Sequence, residues 1–159
     1  MSQPLRLSSG GFIDRESFIE FTFNGRRYKG HPGDTVASAL LANGVRVVGR
    51  SFKYHRPRGI LSAGAEEPNA LLQLEAGDRT LPNQQATLVE LYDGLSADSV
   101  NCWPSPDFDA MSIIGLFHRL TPAGFYYKTF MWPASFWKYY EYFIRHAAGL
   151  GKAPKEADP

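Results

Sequence analysis

The chain has 159 residues, with 17 Lys and Arg against 16 Asp and Glu, a formal charge of +1 and a single cysteine. That length accommodates one compact domain, or a small domain carrying a large appendage, but not two full-sized ones. The balanced charge argues against a general nucleic-acid or polyanion binder. Lone Cys102 excludes an intramolecular disulfide framework, a four-cysteine zinc site and a four-cysteine iron–sulfur cluster, and it suits a reducing compartment. Met1–Arg6 lacks the apolar stretch of a signal peptide, and no uncharged apolar run approaches the ~20 residues needed to span a bilayer. The expectation is a cytoplasmic protein with neither membrane nor nucleic acid as partner.

Residues 1–17 are polar and Gly-rich, an N-terminal extension that drapes over other structure. Phe18–Phe23 alternates loosely and ends at Asn24-Gly25, a strong hairpin signal, with Arg26–His31 as the returning strand. Pro32-Gly33-Asp34 breaks that strand. Asp34 is placed to cap a helix over Thr35–Asn43, which Gly44 closes. Val45–Val48 reads as a short strand and Gly49–Ala65 as a loop without an acidic residue. Ala70–Leu74 and Ala86–Leu91 read as further strands, with turns at Gly77-Asp78 and Tyr92-Asp93-Gly94. A small α+β domain over residues 18–100, its sheet wrapped round one helix in the β-grasp manner, is the most economical arrangement.

Composition changes at residue 101. Trp103-Pro104-Ser105-Pro106 reads as rigid and extended, and Asp109–Leu120 reads as helical. Gly124–Phe143 then holds 11 of the chain's 22 aromatics. Pro133 can start a helix from Ala134 to about Ala148, closed near Gly149 or Gly151. Lys138, Glu141 and Arg145 make one charged stripe on a helix otherwise apolar or aromatic. Such a helix is covered on most of its circumference, and a chain this short has too little protein of its own to do that. Residues 101–151 therefore read as a mainly helical docking arm for another chain or for a further part of the same one. Residues 152–159 read as a charged tail.

Chemistry concentrates in one place. Arg46, Arg50, Lys53, His55, Arg56 and Arg58 crowd into 13 residues, with no acid between Asp34 and Glu66 to neutralise them. Guanidinium groups fixed beside Pro57 and Gly59 can be aimed at a phosphate or carboxylate. Arg50, Lys53, His55, Arg56 and Arg58 are the candidate contacts to a flavin or nucleotide phosphate, or to an acidic partner. The following segment, Gly59–Ala70, has the small residues of a cluster-binding loop but the wrong ligands, because Ser62, Glu67 and Ala70 are not thiolates. It reads as a compact structural loop. His31, His55, His118 and His146 are scattered, with no HExxH, and no GxSxG elbow exists. Cys102 beside Trp103 reads as a buried, inert thiol. No catalytic residue and no metal ligand is assigned.

Several of these segments together resemble one family, the N-terminal region of the α subunit of heterotetrameric sarcosine oxidase. They are Gly33–Ala42, Gly49-Arg50-Ser51-Phe52-Lys53-Tyr54-His55-Arg56-Pro57-Arg58-Gly59, Ala65–Ala70, Tyr92–Leu95, the run Ala123–Pro133 and Ala147–Gly151. The resemblance implies a β-grasp domain related to two-iron ferredoxins. Ser62, Glu67, Ala70 and Gln85 stand where such a domain carries cysteines, so the cluster is lost and the fold is kept as scaffold. It further implies an oxidoreductase complex that oxidises sarcosine at an FAD in a β subunit. Electrons pass through FMN near the α/β boundary to oxygen, and the methyl-derived carbon passes to tetrahydrofolate. In that complex NAD is bound by an α subunit that continues past Pro159. The partners would be the flavin-bearing β subunit, the other subunits of this hetero-oligomer and the remainder of the α subunit. The isolated 159 residues would then hold no cofactor of their own with certainty and would not turn over substrate. The alternatives are a stand-alone protein-interaction module, or an accessory subunit of another amine or amino-acid dehydrogenase complex.

Overall fold

A computed structural model describes residues 3–117, 133–147 and 156. Among the described residues there are seven strands and two α-helices. They are β1 (Ile19–Phe23), β2 (Arg26–Gly30), α1 (Val36–Ala42), β3 (Gly49–Arg50), β4 (Pro57–Arg58), β5 (Leu71–Leu74), β6 (Leu81–Gln85), β7 (Ser96–Ser99) and α2 (Trp137–Ala147). Five strands form one mixed sheet in the order β2-β1-β7-β5-β6, and β3 pairs with β4 in a separate ribbon. In the sheet β7 lies parallel to β1 and antiparallel to β5. This is the β-grasp arrangement expected from the sequence, α+β in class, followed by a helical segment.

Local chemistry accounts for the best-defined parts. Asn24 and Gly25 both take positive φ, 48° and 72°, which the tight β1–β2 turn requires and which these two residues tolerate. Phe21 and Phe23 alternate into the core while Glu20 faces solvent. Helix α1 is capped by Thr35, not Asp34. The Thr35 hydroxyl accepts from Ser38 N–H, and Ser38 Oγ accepts in return from Thr35 N–H. Asp34 is instead buried against Arg6, whose guanidinium donates to both its oxygens at 2.8 and 2.6 Å. That pair ties the N-terminal extension to the domain. Beyond the helix, Gly44 N–H donates to Leu41 O and Val45 N–H to Leu40 O, with Gly44 at φ 83°. This Schellman closure uses up the Val45 backbone, so Val45–Val48 is not a strand; the strand begins at Gly49.

The larger correction concerns Ala86–Leu91. The strand is five residues earlier, at Leu81–Gln85, and the apolar run runs past the start of α1. There Val36 N–H donates to Val89 O, Ala37 N–H to Ala86 O and Leu91 N–H to Asp34 O. Two of the helix's orphan N-terminal donors are thereby satisfied by backbone. The core collects Phe21, Val36, Leu40, Leu72 and Leu95 at 0–1% exposure. Each such side chain contributes roughly 2 kcal/mol of burial.

Trp103–Pro106 is one arm of a tight reversal. Ala110 N–H donates to Trp103 O, Pro104 bridges to Asp109, and the chain turns back on itself. Ala110–Phe117 is helical as expected, but of the 3₁₀ kind. Pro133 starts the last helix, through one 3₁₀ turn at Ala134–Phe136 into α2. Its charged stripe includes an i,i+4 pair, Arg145 to Glu141. Phe136, Tyr139, Tyr142 and Phe143 stand 51–72% exposed. The aromatic run Gly124–Trp132 and the expected helix end at Ala148–Gly151 lie outside the described residues.

Candidate functional site

The basic segment is a two-stranded ribbon. Gly49 pairs with Arg58 and Arg50 with Pro57, and Ser51–Arg56 forms the turn, with His55 at φ 52°. Side chains of the ribbon hold that shape. Arg50 donates through Nε to Pro106 O at 2.7 Å and through Nη1 to His55 O at 2.8 Å. His55 is 8% exposed, and its Nδ1 donates to Asp109 Oδ2 at 2.8 Å, because a carboxylate can only accept there. The second Asp109 oxygen accepts from Trp103 N–H and Met111 N–H. Arg50 and His55 thus bind the ribbon to residues 103–111.

The other three predicted cations lie on the outside of this frame. Lys53 Nζ and Arg56 Cζ lie 5.0 and 4.9 Å from the Tyr54 ring centroid. Arg58 is exposed and donates to Asn69 Oδ1 at 2.6 Å, reaching the next loop. Arg56 is exposed as well. Arg46 sits apart from them, lining a cleft of about 480 Å³ with Arg26, Tyr28, Asn43 and Asp107.

The adjoining loop, Gly59–Ala70, is organised by one buried carboxylate. Glu67 is 1% exposed. Its Oε2 accepts from Leu61 N–H at 2.6 Å and Ser62 N–H at 2.5 Å, and its Oε1 from Asn69 N–H at 2.7 Å and Ala70 N–H at 3.2 Å. Burial alone would raise its pKa. The donors at Ser62, Asn69, Leu61 and Ala70 outweigh burial and hold the carboxyl below the ordinary Glu value. Gln85 Nε2 donates to Ala65 O and Glu67 O, and Thr87 Oγ1 to Gly64 O. The four positions Ser62, Glu67, Ala70 and Gln85 therefore meet in one place.

Those four positions do not fit an iron–sulfur cluster. Ser62, Glu67 and Ala70 keep the C-x4-C-x2-C spacing of plant-type cluster loops, and not one is a thiolate. Ser62 Oγ is buried without a hydrogen-bond partner, Ala70 offers no ligand atom, and the Gln85 amide is engaged with backbone. Among the described residues no group of three or more His, Cys, Asp or Glu could hold a metal ion. The one thiol is elsewhere. Cys102 is half-buried beside Ser99 Oγ at 3.0 Å, less buried than its sequence suggests, and desolvation pushes its pKa up. The role of Glu67 was missed by sequence reasoning. The available signal was an acid pair, Glu66-Glu67, among small residues whose N–H groups have no strand to pair with.

Comparison with known proteins agrees with this geometry. The chain is 61% identical over 155 residues to the sarcosine oxidase subunit alpha of Rhizobium meliloti (strain 1021), covering 97% of this chain and 16% of that protein. It is 46% identical over 104 residues to the subunit of the same name from Corynebacterium sp. (strain U-96), covering 61% of this chain and 11% of that one. The chain thus spans less than a fifth of the length of the curated relatives it matches. Against the crystal structure of L-proline dehydrogenase from P. horikoshii the TM-score is 0.46 at 22% identity, over 61% of this chain and 17% of that one. The model of the 2Fe-2S iron-sulfur cluster binding domain matches residues 16–102. That match takes in the whole five-stranded sheet, α1 and the Glu67 loop, and the chain belongs to this family as a member with no thiolate at its ligand positions.

Proposed function

We propose that this chain is the N-terminal module of a sarcosine oxidase-type α subunit, working in a cytoplasmic hetero-oligomeric flavoprotein complex that oxidatively demethylates sarcosine to glycine. The observation that carries this reading is the 61% identity across 97% of the chain. Within it, residues 18–100 act as a cluster-less scaffold and residues 101–151 as a docking arm toward the flavin-bearing β subunit and the remainder of the α subunit. Residues 1–17 strap the domain and 152–159 link it onward. The electrons of the reaction pass through flavin to oxygen without using this chain. NAD and tetrahydrofolate belong to other parts of the complex.

The role of this chain toward flavin is electrostatic. When bound, FMN or FAD supplies the two-electron chemistry; this chain supplies fixed positive charge. Arg56 and Arg58 are the exposed guanidinium groups fitted to a phosphate, and Lys53 adds charge beside them across Tyr54. Arg50 and His55 act as positioning residues, because they hold the ribbon on which those cations stand. Co-expression with the partner chains tests the idea. Arg56→Ala and Arg58→Ala should each lower the FMN retained by the purified complex several-fold while leaving its subunit composition intact. Flavin content equal to wild type in both variants would sink the cofactor reading and leave the ribbon as a contact surface for an acidic partner.

A further inference from the structure

We infer that the Leu61–Ala70 loop is an anion receptor whose bound anion is the carboxylate of its own Glu67, which stands in for the charged guest that the family's loop is built to hold. Four backbone N–H groups converge on the two Glu67 oxygens within 2.5–3.2 Å. Convergent backbone donors of this kind form the concavities that bind phosphates and iron–sulfur clusters. Among the described residues no lysine or arginine forms a salt bridge with the carboxylate. The attraction comes from the peptide dipoles, and Glu67 is 1% exposed, so water cannot replace it cheaply.

The loop is preorganised round this guest from several sides. Glu67 N–H donates to Gly64 O, Gln85 bonds Glu67 O, and Ala86 N–H donates to Ala70 O. The charged groups nearby are Glu66, which lies over Gly64 on the loop itself, and Arg58, which reaches Asn69 from β4. Ser62, Asn69, Gln85 and Thr87, the other side chains packed there, do not titrate. A structural acid that merely fills space needs only its shape. A receptor needs a negative charge of the right size and accepts it from any source.

Chemical rescue separates the two. Glu67→Ala removes a CH₂–COO⁻ fragment, and acetate restores those atoms. In the full chain Glu67→Ala should lower the Tm by about 10 °C. Addition of about 100 mM acetate should recover roughly half of that loss, because a ligand that binds only the folded state stabilises by mass action. Chloride at the same ionic strength, and benzoate, which is too large, should recover none, and wild type should not respond to acetate. Recovery equal in acetate and chloride, or no recovery in either, overturns the proposal. Should Glu67→Ala fail to fold, Glu67→Gln decides it. The receptor predicts that the stability gap between wild type and Glu67→Gln closes as the pH falls through the carboxyl's lowered folded value. A gap that stays constant from neutral to acid pH overturns it.

Discussion

Two neighbouring loops of this domain, the ribbon turn Ser51–Arg56 and the Leu61–Ala70 loop, each fold round a buried carboxylate, but the acids come from different places. Glu67 lies inside its own loop and takes all four N–H donors from residues two to six positions away. Asp109 reaches the ribbon from 54 residues downstream, through His55, while it also caps Trp103 and Met111. The first loop closes itself. The second is clasped by a segment beyond the sheet, so the cations on it are ordered only when that segment is in place. Local closure gives robustness, and remote closure gives a way for events in residues 101–111 to reach the candidate flavin contacts.

Removing the two acids should break this comparison most visibly. Glu67→Ala orphans four N–H groups and should cost about 4 kcal/mol in global stability, measured by urea unfolding. Asp109→Ala frees two N–H groups and one buried imidazole and should cost about 2–3 kcal/mol. Its distinctive effect is local. Limited proteolysis should cut between Lys53 and Arg58 in Asp109→Ala and not in a Glu67 variant of equal global stability. Equal protection of the ribbon in both would end the idea that it is clasped remotely.

Acid pH sharpens the contrast between a carboxylate held by its own loop and one held by a remote guanidinium. Asp34 and Glu67 are both held below their ordinary values despite burial, Asp34 by Arg6 and Ser38 and Glu67 by its loop amides. A carboxyl with a depressed folded pKa adds stability that is complete above its unfolded value, about 4, and is lost as the pH falls through the folded value. Urea midpoints taken from about pH 6 to pH 3 should therefore drop more steeply for wild type than for Glu67→Gln. The smallest effect serves as a control. Arg145→Ala breaks an exposed i,i+4 pair on α2 and should change stability by less than about 0.5 kcal/mol.

What was legible in the sequence follows the physics of each element. The β1–β2 hairpin and α1 carry local signals, Asn24-Gly25 for positive φ and Gly44 for helix closure, and both lie where those signals put them. Strand β7 carries none, because Ser-Ala-Asp-Ser has neither alternation nor β-branched residues. It becomes the central strand through pairing with β1 and β5, and its small Ala97, 1% exposed, belongs to the same core cluster as Val36 and Leu40 of α1. Ala86–Leu91 had a strand's composition, yet its carbonyls serve the helix start. The basic ribbon was visible as charge. The division into fasteners, Arg50 and His55, and outward cations was invisible, since it depends on Asp109 and Pro106 far along the chain.

The central place of β7 sets an order of assembly during synthesis. When the ribosome has released residues up to Gln85, the chain can form the β1–β2 and β5–β6 hairpins but no continuous sheet, since the strand that joins them has not yet emerged. Thr22 must wait for Ser96, and Leu72 for Ser99. At about 5–20 residues per second that leaves two open strand edges for roughly a second, long enough for wrong partners to compete. A translational pause placed shortly before β7 would lengthen this exposure, and one placed after it would be harmless.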